Sequence, residues 1–150
     1  MKLTNLTHKN KSVQSLMLFN QLSDATIKFM DSRFYRELRL SYIKYFALKG
    51  LVDNDGTSKH SDIAALTNTK KHNITALVKR MGKEGLVTTE YSKVDRRVNN
   101  ITITDKGRQA YEKANVLYLE MVKHLMNGLK DIELEGFEKV LDKVKGNLES

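Results

Sequence analysis

A mainly α chain of six helices with one small β-hairpin is the fold class the sequence predicts, on three observations. Apolar residues recur at intervals of three and four over most of the chain. Strand-like stretches are confined to 86–91 and 98–104, on either side of a charged turn, SKVDRR. Proline is absent and no low-complexity tract interrupts the 150 residues, which suits one structural unit rather than two separate cores.

The elements follow in order. After a polar lead, Leu18, Leu22, Ala25 and Phe29 repeat at helical spacing, with Leu16, Met17, Phe19 and Met30 widening the apolar surface of a first long helix. A second helix is expected over 41–51, where Ile43, Phe46, Ala47 and Leu51 recur, ending near Gly50 and the polar VDNDG loop. Thr57 or Ser58 is expected to cap a short third helix whose buried edge is Ile63 and Leu66. Asn68 and Thr69 interrupt it, and the pattern restarts with Ile74, Leu77, Val78 and Met81 before Gly82 and Gly85 stop the fourth helix. Two short helices across a polar turn of three or four residues read as a helix-turn-helix. The hairpin follows as a wing.

Thr104 supplies the N-cap of a long fifth helix carrying Ala110, Ala114, Leu117, Met121 and Leu125, which runs as far as Asn127 and Gly128. The sixth carries Leu134, Phe137, Leu141, Val144 and Leu148, a seam suited to helix association. Seams at both ends of the chain need partners. A homodimer built from the first, fifth and sixth helices would bury them, as would packing of the first helix against the last within one chain.

Charge is segregated along the sequence. The formal net charge is +8 and the pI about 9.6, which favours polyanionic partners. The window 58–97 holds nine Lys and Arg against four Asp and Glu, whereas 130–150 holds four against six. A second basic block over 1–49 includes Arg33, Arg36 and Arg39, which could flank the same polyanion or simply solvate a surface.

At about 100° per residue, the side chains opposite the apolar stripe of the fourth helix are His72, Ala76, Lys79 and Lys83, with Thr75 on one flank and Asn73 and Arg80 on the other. No acid lies on this face. A small residue at Ala76 among hydrogen-bonding and cationic groups suits a helix lying close to base edges in a DNA major groove, although a solvated surface has the same pattern. The wing turn adds Lys93, Arg96 and Arg97, which can reach phosphates or a narrow minor groove, with Asp95 as the ion-pair brace that orients one arginine.

Other chemistry is poorly supported. Cysteine is absent, which excludes disulfides and thiolate catalysis, and there is neither a Gly-rich phosphate loop nor a carboxylate cluster at catalytic spacing, so no enzyme is expected. His8, His60, His72 and His124 lack metal-ligand spacing and read as surface or capping residues, so neither metal nor cofactor is expected. No apolar run approaches the ~20 residues of a membrane span, and the polar start has no secretory-signal pattern, which makes a cytoplasmic protein without membrane attachment the expectation. Phe19, Tyr35, Tyr42, Tyr45, Phe46, Tyr111 and Tyr118 could line a small-molecule effector cleft or belong to the core.

The successive landmarks Leu40-Ser41-Tyr42, the helix Ile74 to Gly85, Gly85-Leu86-Val87, Asp95-Arg96-Arg97 and Ile103-Thr104-Asp105-Lys106-Gly107 resemble, in order and spacing, those of the MarR family of winged helix-turn-helix transcriptional regulators. The resemblance covers nearly the whole chain. It implies a triangular homodimer on a palindromic operator, usually repression, and often release by a small ligand lodged between the dimerisation and DNA-binding parts. Carried onto this chain, it makes Lys70, Lys71, His72, Asn73, Thr75, Ala76, Lys79 and Arg80 the DNA-reading positions, with Arg96 and Arg97 in the wing and Asp95 as brace. The chain departs from the family at Thr88-Thr89, where an arginine is common, and at Ser92, where the wing often begins with an acid. The expected organisation is a helical dimerisation region over 1–40 and 108–150 and a winged helix-turn-helix over 41–107, as one structural unit. The alternative is a winged-helix protein-interaction module or a non-specific architectural DNA-binding module.

Overall fold

The computed structural model describes residues 7–67, 71–91 and 98–150. Its elements are α1 (Lys11–Leu38), α2 (Tyr42–Asp53), β1 (Thr57–Lys59), α3 (His60–Leu66), α4 (Lys71–Lys83), β2 (Val87–Tyr91), β3 (Val98–Ile103), α5 (Asp105–Leu125) and α6 (Asp131–Glu149). The chain forms two compact units, Met1–Tyr118 and Leu119–Ser150.

α1 begins where Asn10 Oδ1 accepts from the backbone N–H groups of Ser12 and Val13, at 2.9 and 3.2 Å. It buries Ala25, Met30 and Phe34, while Leu16, Leu18, Phe19 and Leu22 stay exposed. The helix stops at Arg39, a left-handed residue with φ 53° whose N–H bonds to Tyr35 O at 3.1 Å. α2 packs against α1, α3 and β3. Ser41 makes no side-chain cap; Asp31 Oδ1 of α1 accepts from Tyr42 N at 2.7 Å instead, so a distant carboxylate closes the helix start. The helix runs on to Asp53 rather than stopping near Gly50. Its interior stripe is Tyr45, Leu48 and Leu51 with Ala47, whereas Ile43 and Phe46 are only half-buried.

The expected cap at Thr57 or Ser58 is corrected by the structure. Both belong to β1, a third strand that pairs antiparallel with β3 through Thr57↔Thr102, Ser58↔Ile101 and Lys59↔Asn100. The sheet order is β1-β3-β2. Thr57 Oγ1 meets Thr102 Oγ1 at 3.1 Å, and buried Ser58 accepts at Oγ from Asn54 Nδ2 at 2.9 Å, so both hydroxyls bond away from the start of α3. α3 starts at His60 with Lys59 at its N-cap and no side-chain cap. Ile63 forms its buried edge, while Leu66 is 47% exposed.

α4 continues through Gly82 to Lys83. It ends in a Schellman motif, with Gly85 at φ 73°, Leu86 N bonded to Met81 O at 2.9 Å and Gly85 N to Gly82 O at 3.0 Å. β2 and β3 pair antiparallel from Val87↔Ile103 to Tyr91↔Val98, with an irregularity between Glu90 and Tyr91. Ile101 and Ile103 point into the core at 1% and 8% exposure, as their alternation predicts.

Thr104 caps α5 as expected. Its Oγ1 accepts from Gly107 N at 3.0 Å and donates to Gly85 O at 2.6 Å. Lys106 Nζ adds a bond of 2.7 Å to Glu84 O. The first turn of α5 is thereby fastened to the corner where α4 becomes β2. In the second unit, α6 carries its seam in the open: Phe137, Val144 and Leu148 are 46%, 40% and 83% exposed.

Candidate nucleic-acid interface

α4 owes its orientation to its apolar stripe. Ile74, Leu77, Val78 and Met81 are at most 3% exposed, and they fix the helix against α3 and β2. Burying four such side chains contributes roughly 6 to 12 kcal/mol of transfer free energy, an upper bound because the unfolded chain is itself partly collapsed. The helix therefore cannot roll without exposing its stripe. Its opposite face carries Asn73, Thr75, Ala76, Lys79, Arg80 and Lys83, all exposed. α4 contains no Asp or Glu. The acid that follows it, Glu84, is held by Lys44 Nζ at 2.7 Å from both carboxylate oxygens. That pair ties α2 to the end of α4 and leaves a cationic last turn, Arg80 and Lys83, at the helix C-terminus, where positive charge complements the dipole.

The structure brings Asn73, Thr75, Ala76, Lys79 and Arg80 together on one accessible surface, and Lys71 and His72 open the same helix. Lys70, Lys93, Asp95, Arg96 and Arg97 lie outside the described residues. The pairing of β2 with β3 is described as far as Tyr91↔Val98.

Sequence reasoning missed one contact here. His60 Nε2, at the start of α3, lies 3.2 Å from Thr75 Oγ1 on the face of α4. Fifteen residues separate the two, and no local spacing signals the pair.

The aromatic residues divide into two groups. Tyr45 is fully buried, and around its ring lie Phe34 at 5.2 Å, Phe46 at 5.2 Å, Tyr111 at 5.9 Å and Tyr118 at 4.9 Å. Tyr42 joins through Phe46, edge to face, at 4.8 Å. Tyr45 donates its hydroxyl proton to Asn115 Oδ1 at 2.9 Å. Burial first, then the neighbouring phenols, raises the Tyr45 pKa far above the ordinary phenol value, so it stays a donor. Tyr42 is raised too, by burial and then by Tyr118. Phe34 and Asn115 belong to this cluster without any sequence signal. Phe19 and Tyr35 do not share it: both are exposed on α1, and Tyr35 carries the Arg39 guanidinium 5.1 Å above its ring.

Among the described residues no three His, Asp or Glu side chains converge as a metal site. No described helix is long and apolar enough to cross a membrane.

No family model matches the sequence. The HTH-type transcriptional repressor IacR of Pseudomonas putida is 31% identical over 100 residues, covering 67% of this chain and 60% of that relative, so the match spans less than two thirds of its length. The crystal structure of the transcriptional regulator BldR from Sulfolobus solfataricus is 27% identical, with a TM-score of 0.71 over 89% of this chain and 99% of that one. Sco3205, a MarR family transcriptional regulator from Streptomyces coelicolor crystallised in complex with DNA, is 14% identical but superposes at a TM-score of 0.82 over 98% of this chain and 94% of that one. The six helices and three-stranded antiparallel sheet of the described residues, with α3 and α4 adjacent in sequence and in contact, together with these likenesses, give the chain the winged helix-turn-helix fold seen in MarR family regulators.

Proposed function

We propose that this protein is a homodimeric, sequence-specific DNA-binding transcriptional regulator, a repressor that acts in the cytoplasm on an inverted repeat and is released by a small-molecule effector. One observation carries the reading: α4 presents an exposed face without acids, on a helix whose roll is fixed by four buried side chains. Lys71, Lys79 and Arg80, with Lys70 before the helix, neutralise phosphates and supply affinity. His72, Asn73, Thr75 and Ala76 meet base edges. Asn pairs bidentately with adenine, and the small Ala76 admits close approach and contact with a thymine methyl group. Lys93, Arg96 and Arg97 extend the contact through the wing, with Asp95 bracing one arginine.

The dimer rests on the apolar residues left open on α1 and α6, which a second copy would cover isologously. Residues 1–40 and 108–150 then serve association, while 41–107 place two copies of α4 in successive major grooves about 34 Å apart. The half-exposed rings of Tyr42, Phe46, Tyr111 and Tyr118 offer stacking faces and hydroxyls to an aromatic effector. The repressor name of IacR and the DNA complex of Sco3205 support the same reading.

The test is a titration of purified protein against a palindromic duplex selected from a random pool and a scrambled duplex, each at two salt concentrations. The regulator reading expects preference for the palindrome of at least about a thousandfold at physiological salt. Equal affinity for both duplexes refutes it in favour of an architectural DNA-binding module, and binding to neither favours a protein-interaction module.

A further inference from the structure

Glu84 follows the cationic last turn of α4 and stands one helical turn from Arg80, whose carbonyl accepts from Glu84 N at 3.0 Å. Residues four apart on a helix are surface neighbours, so Arg80 and Glu84 have the spacing of an ion pair. The pair does not form. Lys44 Nζ of α2 holds both Glu84 carboxylate oxygens, each at 2.7 Å. Among the described residues neither Arg80 nor Lys83 stands in an ion pair. The Lys44 side chain is 13% exposed against 45% for Glu84, so its ammonium is directed at the carboxylate rather than at solvent. Both partners are mounted on fixed backbone: Tyr45, next to Lys44, is fully buried, and Met81, three residues before Glu84, is 1% exposed.

Three other cations lie near this carboxylate: Arg80 one turn back, Lys83 beside it in the chain, and Lys106, whose Nζ already donates to Glu84 O at 2.7 Å. Arg80 is exposed on the outward face of the helix. A guanidinium held by a carboxylate is a weaker partner for a phosphate, because the phosphate must displace one anion and is repelled by it. We propose that Lys44, which lies on α2 outside the reading helix, is a positioning residue that holds the Glu84 carboxylate away from Arg80 and keeps that guanidinium free for a DNA phosphate. The role rests on the reading of α4 as the DNA-reading helix.

The test measures affinity for a palindromic duplex selected from a random pool and for a scrambled duplex over a range of salt concentrations. The proteins are the wild type, Lys44→Met, Glu84→Gln, Arg80→Ala and the double variants Lys44→Met/Glu84→Gln and Lys44→Met/Arg80→Ala. Lys44→Met keeps the apolar stem and is expected to bind both duplexes about twofold to fivefold more weakly, the effect of one ion pair at a helix surface. The slope of log affinity against log salt should fall by up to about one. Glu84→Gln breaks the same ion pair but leaves no acid to capture Arg80, so its affinity and slope stay at or above those of the wild type, and Lys44→Met/Glu84→Gln returns to that level. Lys44→Met adds nothing in the Arg80→Ala background. A pair that serves stability alone predicts the reverse, with Glu84→Gln weakening binding as much as Lys44→Met, and that result overturns the proposal. So does a Lys44→Met protein that binds like the wild type, or a loss that persists in the Glu84→Gln background, which would make Lys44 itself a phosphate contact. If Lys44→Met does not fold, the exchange Lys44→Glu/Glu84→Lys carries the test: at least wild-type affinity is expected, and weaker binding overturns the proposal. A wild type that binds both duplexes equally refutes the regulator reading while the variants still decide the role of Lys44, and one that binds neither refutes both. A selective wild type whose affinity ignores Arg80→Ala overturns the inference alone.

Discussion

Replacing Gly107 by alanine sets two effects of opposite sign against each other at the joint between wing and α5. Gly107 lies in the first turn of a helix, and helix propensity alone gives alanine an advantage of about 1 kcal/mol. Packing opposes it. A Cβ at this position would stand 2.0 Å from Leu86 O, 3.0 Å from Leu86 C and 2.9 Å from Ile103 Cγ1. The nearest of these atoms is a backbone oxygen already engaged, since Leu86 O accepts from Thr104 N at 3.1 Å. Reaching an ordinary non-bonded separation of about 3.5 Å requires α5 and residue 86 to part by about 1.5 Å. That movement loses the Leu86–Thr104 hydrogen bond, worth about 1 kcal/mol, and disturbs the Thr104 cap, worth about another 1 kcal/mol. Residual overpacking adds about 1–3 kcal/mol. Net of the propensity gain, Gly107→Ala is expected to destabilise by about 2–4 kcal/mol.

Gly82 is the internal control. It also sits in a helix, but a Cβ there would find Val87 O as its nearest neighbour at an unstrained 3.9 Å. Gly82→Ala is expected to stabilise by about 0.5–1 kcal/mol. Urea unfolding followed by circular dichroism, with both variants and the wild type measured side by side, reads the two signs directly. A Gly107→Ala protein as stable as the wild type, or more stable, refutes the packing argument.

Other expected outcomes follow from the same geometry. Lys79→Ala and Arg97→Ala should each weaken binding to every duplex and reduce the slope of log affinity against log salt by about one, and an unchanged slope for either rules out its phosphate contact. Tyr45→Phe should cost about 1 kcal/mol, because Asn115 Oδ1 loses its donor. The raised Tyr45 pKa also has a pH consequence: above the ordinary phenol value of 10.0 the unfolded chain releases a proton that the folded chain retains, so stability falls as pH rises past that point. Tyr45→Phe should flatten this alkaline decline, and an identical decline in both proteins would show that Tyr45 contributes none of it. Light scattering at micromolar concentration should report a dimer that Phe137→Glu with Val144→Glu converts to a folded monomer, since both residues are exposed within one chain. A monomeric wild type, or a variant that keeps the dimer mass, rejects the α6 seam as an interface.

What could be read in advance follows a physical division. Ile74, Leu77, Val78 and Met81 declare a helix and its buried face because spacing and cause lie within one element, and all four are buried as their periodicity requires. Thr104 is legible for the same reason: its cap closes three residues away, at Gly107 N. Thr57 and Ser58 have the residue types of a cap as well, yet their hydroxyls are taken by Thr102 and Asn54 in a three-residue strand too short to show alternation. Asp31 capping α2 in place of Ser41 is a similar substitution of a distant group for a local one. The exposed face of α4 falls on both sides of this division. Its composition follows from helical geometry, so Asn73, Thr75, Ala76, Lys79 and Arg80 could be named from the sequence. The contact of Thr75 Oγ1 with His60 Nε2 could not, because His60 follows directly on the pairing of β1 with β3 and lies fifteen residues from Thr75 in the chain. Which residues face outward is therefore a property of the helix, and which distant neighbour one of them meets is a property of the sheet that places His60.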